Sequence, residues 1–335
     1  MAMALAAAVV LPFLVADYMV FRFTLAVIWS IAVLGMVVLG GVSGQLSIGH
    51  AAFYGLGAYT AALLANRTGV SLYWALPLAA LLCWAAGYAF GRVAGRQSLW
   101  NQALITYALV IVFPQTLRSR LVEGLTGGTQ GLYLDAPAAP AWIGLGTDRW
   151  WYLLSLAVLV CGMWAVRNLV DSRSGRALRA VRDHDTAAAV QGVDVDHHRA
   201  NAFGLSAAFV GVAGCLAAIQ FAYVAPNTYS FWLSVQFLMG MVVGGMHSIY
   251  GAVIGGLFLQ FMPDLAAVVG RGQSHILLAA LLVATIVLVP DGLAGLAARA
   301  AGALRRWRAL TATAAADRRT DACSTARHRP ERPGR

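Results

Sequence analysis

Polar side chains are scarce inside the apolar runs of this sequence, and they gather in its first third. The candidates within those runs are Gln45, Ser47, His50, Tyr59, Thr60 and Thr106. No enzyme constellation appears among them, so the sequence predicts no catalytic residue and no enzyme. The stretch 44–50 is too polar and too rich in glycine for a helix face against lipid. We therefore predict that it borders a translocation path. The alternative is a cytoplasmic turn whose His50 reaches the lipid headgroups.

A second group of candidates is the stretch 171–199, which we call the arginine segment. Arginine recurs there every three residues, at Arg173, Arg176, Arg179 and Arg182. On a helix this spacing spreads the four side chains over about half of the circumference. Arginine between apolar runs is typical of the cytoplasmic side of membrane proteins, so we expect the segment to lie there.

Local signals divide the arginine segment into two short helices. Ser172 or Ser174 can cap the first helix, and Gly192 can end a helix in the left-handed conformation. Asp183 and Asp185 precede three alanines at 187–189, so a second helix can begin there with acids at its positive end. An alanine face allows close approach of another surface. A cytoplasmic loop without a partner remains the alternative.

The elements that must hold these residues are membrane-spanning helices. Of 335 residues, 60% are hydrophobic and 11% are charged, and the mean hydropathy is +0.70. A soluble domain carries roughly a quarter charged residues. The apolar runs are about twenty residues long, as a spanning helix requires. We predict an all-α, polytopic membrane helix bundle of about ten spans, at 2–16, 23–41, 50–65, 72–91, 99–118, 150–169, 201–222, 233–246, 250–267 and 274–291.

The number of spans determines on which side of the membrane each loop and each terminus lies. Both the arginine segment and the tail 299–335 are rich in arginine, so an even number of crossings must separate them. This parity requires a split of the long apolar run at Gly244–Gly251. Ten spans then place both termini in the cytoplasm and the loop 119–149 outside, with a transmembrane domain over 1–298 and a disordered tail over 299–335. Short, glycine-interrupted spans can line a pathway, which adds Gly244 and Gly245 to the path candidates. Thinner packing within the helix bundle is the alternative.

The remaining ionisable residues exclude several classes of function. The net charge is +10, but the arginines lie between spans or in the tail, so no nucleic-acid surface is predicted. The four cysteines have no metal or disulfide spacing, and we expect no metal or cofactor in this chain. Almost no carboxylate falls inside a span, which argues against an ion-coupled carrier. The energy source for transport is therefore expected outside the chain.

Five ordered motifs over about 40–296 resemble the permease subunits of bacterial ABC importers for branched-chain amino acids, of the LivM-like type. The first motif covers 44–53 with 57–59 behind it, and the second covers 126–132 in the external loop. The third is the stretch 176–192, which resembles the segment that docks into the ATPase. The fourth is the glycine-rich turn 244–251, and the fifth is the closing motif 290–296.

The resemblance implies partners and roles. It implies two ATPase subunits that hold ATP and Mg, a LivH-like partner permease, an external substrate-binding protein, and a bacterial inner-membrane location. It also implies that the ATPase couples to the chain through Arg179, Arg182, Asp183, Asp185, Ala187, Ala188 and Gly192. The expected cargo is a branched-chain or related small amino acid. Urea or a short amide stays open, as does an ATP-independent channel or secondary carrier.

Overall fold

The computed structural model describes residues 2–68, 72–135, 139, 144–269 and 292–296. These ranges are mostly helical, in agreement with the predicted all-α class. The α-helices are α1 (Ala2–Leu14), α2 (Asp17–Met36), α3 (His50–Thr68), α4 (Ala75–Ala94), α5 (Leu99–Leu117), α6 (Glu123–Thr126), α7 (Thr147–Asp171), α8 (Arg173–Asp183), α9 (Asp185–Val190), α10 (Val195–Phe221), α11 (Phe231–Gly244) and α12 (Gly251–Val269). Two short strands, β1 (Leu132–Tyr133) and β2 (Tyr223–Val224), pair antiparallel.

Four stretches of the described chain are long and apolar enough to cross a membrane. They are Asp17–Val42, Leu72–Ala94, Thr147–Asp171 and Val195–Phe221, and they match the spans predicted at 23–41, 72–91, 150–169 and 201–222. Three further apolar helices are shorter: Leu5–Leu14, Phe231–Gly244 and Gly251–Leu265. The predicted span 274–291 and the tail 299–335 lie outside the described residues.

Burial separates central from peripheral helices. The apolar windows of Asp17–Val42 and Val195–Phe221 are 78% and 83% buried, against 28% for Leu72–Ala94 and Thr147–Asp171. Helices α2 and α10 therefore form the centre, and α4 and α7 are peripheral. Outward residues such as Leu81 and Trp164 are large, apolar and exposed, as a lipid-facing surface requires.

Helices α3 and α10 pack with their backbones in contact. A Cβ at Gly57 of α3 would overlap the carbonyl oxygen of Gly211 in α10 and lie 2.5 Å from its carbonyl carbon. A Cβ at Gly214 of α10 would in turn overlap the carbonyl oxygen of Tyr54 in α3. Small residues at such a crossing let two membrane helices approach closely. The two backbones therefore touch at two positions, at Gly57 of α3 and at Gly214 of α10.

Helix α2 ends in a wide turn that leads into a non-helical stretch. The turn Val37–Val42 is π-helical, and residues 43–49 then leave the helix before α3 begins at His50. Gly44 has φ +71°, which favours glycine. We call residues 43–49 the polar break. It coincides with the stretch that the sequence marks as too polar for lipid.

The long apolar run after α10 is divided as parity requires. Helix α11 ends at Gly244, α12 begins at Gly251, and Gly245 has φ +109°. The predicted split at Gly244–Gly251 is confirmed, because the chain turns there instead of continuing as one helix.

The bundle has two distinct ends. At one end, Asn66 Nδ2 donates to the carbonyl of Tyr133 at 3.0 Å, the Tyr223 hydroxyl donates to the carbonyl of Gln130 at 2.7 Å, and Arg118 bonds Asn227. The strands β1 and β2 lie there too. The polar break, α8 and α9 lie at the opposite end, together with the last turn of α7 and the first turn of α10.

Candidate functional site

Gln45 is the most connected side chain of the polar break. It is 4% exposed, and its Nε2 donates to Ser43 Oγ at 2.7 Å and to the carbonyl of Arg199 at 3.0 Å. Its Oε1 accepts from Gln102 Nε2 of α5 at 2.8 Å. Buried amides are usually satisfied in this way, because an unmade bond there costs the full desolvation of the group. Gln45 therefore joins the break to α5 and α10.

His50 lies at the end of the polar break with both ring nitrogens in hydrogen-bond distance of serines. Nδ1 is 2.8 Å from Ser47 Oγ, and Nε2 is 2.9 Å from Ser206 Oγ of α10. The ring is fully buried between Phe53 and Phe203, with centroids 5.6 and 5.3 Å away. His50 therefore does not reach the lipid headgroups. It ties the start of α3 to α10.

Thr106 supports the polar break from α5. It is fully buried, and its Oγ1 accepts from the backbone N–H of Ile48 at 3.1 Å and donates to the carbonyl of Ala103 at 2.9 Å. A Cβ at Gly49 would overlap the carbonyl oxygen of Thr106. Thr106 therefore fixes the backbone of the polar break against α5, and its hydroxyl is already hydrogen-bonded.

Tyr59 lies apart from the other path candidates. It is 3% exposed in the middle of α3, and its ring is 6.0 Å from that of Tyr229. Among the described residues its hydroxyl has no hydrogen-bond partner. The structure therefore places Tyr59 nearer the β1–β2 end than the polar break.

Gly244 and Gly245 come together with the other glycine motifs. A Cβ at Gly244 would overlap the carbonyl oxygen of Gly251, and one at Gly292 would overlap Gly245 Cα. A Cβ at Gly41, just before the polar break, would overlap the carbonyl oxygen of Met246. The stretches around Gly41, 244–251 and Gly292 are far apart in the sequence. They thus form close backbone contacts at the same end of the bundle.

The first part of the arginine segment is the helix α8. Ser172 Oγ accepts from the backbone N–H of Gly175 at 3.2 Å, which confirms the predicted cap and chooses Ser172 over Ser174. Leu178 and Val181 are buried. Arg179 is exposed, and its Nη2 donates to the carbonyl of Val170 at 3.0 Å. The helix is amphipathic, with an apolar side on the bundle and arginines outside.

Arg182 differs from the other arginines of α8, because it points toward the polar break. Its Nη1 donates to the carbonyl of Gly41 at 2.7 Å, and its Nε is 3.2 Å from Asp183 Oδ1. A Cβ at Gly44 would overlap Arg182 Cγ. The side chain therefore covers the break and holds the turn before it.

Helix α9 begins at Asp185, as predicted, and is followed by Gly192 with φ +83°. The alanine run does not face outward as a whole. Ala187 is exposed, whereas Ala188 is 4% exposed and packs within the chain, where α9 contacts α8 and α10. The expectation that Ala188 offers a close-approach surface needs correction, since that position already carries an internal contact.

The carboxylates near span ends are paired with arginines. Asp17 Oδ1 is 3.5 Å from Arg149 Nη2, and Asp264 of α12 bonds Arg22 of α2. Within the described residues there is no group of three or more His, Cys, Asp or Glu that could hold a metal ion.

Sequence reasoning missed three residues of this site: Gln102, Arg199 and Ser206. Gln102 and Ser206 lie within predicted spans, where a polar side chain is unusual and can indicate a functional site. This signal is weak for serine. Arg199 sits at the last position of the arginine segment and gave no signal of its own. Its role depends on neighbours that are distant in sequence.

The chain is similar to known transport proteins. The family model described as "Branched-chain amino acid transport system / permease component" matches residues 18–289. The high-affinity branched-chain amino acid transport system permease protein LivM of Escherichia coli is 29% identical over 313 residues, covering 85% of this chain and 72% of that protein. LivH of Salmonella typhimurium is 26% identical over 290 residues, covering 81% and 92%.

No solved structure matches the chain. The match over 18–289 includes the polar break, the arginine segment and the turn 244–251. Together with the long apolar helices, it makes the chain a multi-pass membrane protein and a transport subunit rather than an enzyme. The chain belongs to the family of permease components of branched-chain amino acid transport systems.

Proposed function

We propose that this chain is a LivM-like permease subunit that carries branched-chain or related small amino acids across the bacterial inner membrane. An external binding protein delivers the cargo, a LivH-like permease completes the path, and two ATPase subunits supply the energy. One observation carries the proposal. The arginine segment is folded as α8 and α9 and joins two long apolar helices. Arg182 bonds the turn just before the polar break, and the carbonyl of Arg199 accepts from Gln45 within the break.

The proposed topology has ten spans with both termini in the cytoplasm. The break of the apolar run between α11 and α12 supports it, because it supplies the crossing that parity demands. The division of the bundle into two ends supports it as well. The arginine segment marks the cytoplasmic end, and the loop 119–149 with β1 marks the external end, where the binding protein docks.

The ATPase docks on the outward face of the arginine segment. Among the residues that the family resemblance assigns to coupling, all but Ala188 are exposed: Arg179, Arg182, Asp183, Asp185, Ala187 and Gly192. Val190 is also 89% exposed, which supplies an apolar contact at the end of α9. ATP and Mg bind in the partner, because this sequence has no lysine and so no phosphate-binding loop of the Gly-x-x-x-x-Gly-Lys type.

The path borders the polar break at its cytoplasmic end and passes Tyr59 farther along α3. This border is shaped by side chains that hold the polar break in place: Gln45, Ser47, His50 and Thr106. Gly244 and Gly245 allow the backbone of the turn 244–251 to lie close by. The ATPase subunits bind the outward- and inward-facing states of the permease with different affinities before and after ATP hydrolysis. ATP binding and hydrolysis therefore shift the permease between the two states.

The test is uptake in proteoliposomes that hold the chain, its LivH-like partner and the ATPases, with the binding protein outside. We expect ATP-dependent uptake of leucine, isoleucine or valine. Uptake by the chain alone under an ion gradient would refute the proposal, and preferential uptake of urea or a short amide would replace the cargo. A thermal-shift screen of the binding protein against the same solutes identifies the cargo independently.

A matched pair of substitutions tests where the ATPase docks. Ala187→Leu adds bulk on the exposed side of α9, so we expect at least tenfold weaker association with the ATPase and an unchanged permease fold. Ala86→Leu makes the same change on the exposed side of α4 and should leave that association unchanged. Equal association for both variants would show that α9 is not the docking surface.

A further inference from the structure

Arg199 joins three parts of the chain that are far apart in sequence. Its Nη1 donates to the carbonyl of Gly95 at the end of α4, at 3.1 Å, and its Nη2 is 3.4 Å from Asp185 Oδ2 of α9. Its own backbone carbonyl accepts from Gln45 of the polar break at 3.0 Å. The guanidinium has a planar fork of donors, so it can hold Gly95 and Asp185 at once.

The connection continues from the polar break into α5. Gln45 Oε1 accepts from Gln102 Nε2 at 2.8 Å, and Gln102 is 1% exposed. The chain of contacts Asp185–Arg199–Gln45–Gln102 thus runs from the outer face of the arginine segment into the bundle. Separating Gln45 from Arg199 would leave one N–H of the buried Gln45 amide unpaired, which is costly.

A small apolar cluster reinforces the same connection. Val42 at the end of the π-helical turn, Leu178 of α8 and Ala202 of α10 are buried together, with Val170 of α7 against them. This cluster is separate from the main core. Arg182 crosses beside it to the carbonyl of Gly41. A polar and an apolar contact therefore hold α8 to the π-helical turn that leads directly into the polar break.

We propose that Arg199 is a positioning residue that makes the arginine segment and the polar break move as one body during the transport cycle. The proposal rests on the proposed function, in which the ATPase moves the arginine segment. Arg199 touches neither nucleotide nor cargo. It acts by keeping α9, the end of α4 and the break in fixed relation, so that displacement of α9 displaces the residues that lead into His50.

The first test uses the complete complex in proteoliposomes and measures the number of cargo molecules taken up per ATP hydrolysed. Arg199→Ala removes the bonds to Gly95 and Asp185. We expect this ratio to fall at least tenfold, with ATPase association within twofold of wild type, because the Arg199 side chain is 22% exposed and faces its own chain. A residue that only supported the fold would reduce association and hydrolysis together and leave the ratio unchanged.

Arg96→Ala is the matched control. Arg96 Nε is 2.8 Å from Asp196 Oδ2, so it also links the end of α4 to the start of α10, but the pair is exposed and does not touch the polar break. We expect its transport ratio to stay within twofold of wild type. An unchanged ratio in Arg199→Ala, or an equal fall in both variants, overturns the proposal. If wild type itself shows no ATP-dependent uptake, the proposed function fails instead.

The second test does not depend on the folding of Arg199→Ala. Val42→Cys with Leu178→Cys, in a background without the native cysteines, places one thiol on each side of the apolar cluster. If the two parts move as one body, the oxidised, cross-linked complex transports within threefold of the same protein kept reduced. A cross-link that abolishes uptake means that the parts separate during the cycle and overturns the proposal, as does failure of the pair to cross-link.

Discussion

Gly44 and Arg182 offer a direct test of how the arginine segment rests on the polar break. Gly44→Ala forces alanine into a left-handed conformation, at a cost of about 1–2 kcal/mol. Its Cβ would overlap Arg182 Cγ and lie 3.2 Å from Cδ and 3.3 Å from Cβ. Arg182 must then move, and its bond to the Gly41 carbonyl is lost, at a further cost of about 1.5 kcal/mol. The single variant should lose about 3 kcal/mol of unfolding free energy.

The same substitution is expected to cost less when Arg182 is already alanine. Arg182→Ala removes Cγ and Cδ, so only the Cβ contact and the backbone cost remain, about 1–2 kcal/mol. The double-mutant cycle therefore predicts a coupling of about 1.5 kcal/mol, measured by denaturant unfolding in detergent micelles. If Gly44→Ala costs the same within about 0.5 kcal/mol in both backgrounds, Arg182 does not rest on Gly44 and the inferred contact is wrong.

Two further variants probe the helices that hold the site. Gly57→Ala should lower the unfolding free energy by about 2 kcal/mol or more, because α3 and α10 must separate, whereas Gly124→Ala, with open space around it, should change it by less than about 0.5 kcal/mol. Similar losses in both would refute the close crossing. Asp194 caps α10 by accepting from the backbone N–H of His197 at 3.0 Å, and this bond lowers the pKa of its carboxyl. Asp194→Ala should therefore lower the thermal midpoint at pH 7. Its difference from wild type should shrink as the pH falls below about 3.9, and a constant difference would contradict the cap.

Local signals predicted much of the helical framework. Ser172 and Gly192 act through their own backbone neighbourhood, so the sequence alone placed the ends of α8 and α9. The turn at Gly244 followed from the parity of crossings between the two arginine-rich parts of the chain, the arginine segment and the tail. Span boundaries were less accurate, because α10 begins at Val195, before the apolar run, where Asp194 provides the cap. Apolar length alone does not detect polar first turns of this kind.

The contacts of the site could not be predicted in the same way. Polarity within an apolar run identified Gln45 and His50 as unusual, and both are part of a buried hydrogen-bond network. Their partners Gln102 and Ser206 lie 57 and 156 residues away in the chain, so pairing them requires the packed bundle. For Ala188, the residue type alone could not predict its environment. The same small residue fits a docking face or an internal contact, and only tertiary packing distinguishes them.

The backbone contact between α3 and α10 determines how a displacement is distributed along the protein. The two backbones touch at Gly57 and Gly214, so we expect α3 and α10 to tilt together rather than rotate separately. Helix α10 has 27 residues and is therefore about 40 Å long. A tilt of about 5° would displace its far end by roughly 3.5 Å over this length. Because β2 follows α10 directly and pairs with β1, that displacement would reach the strand pair at the opposite end of the bundle.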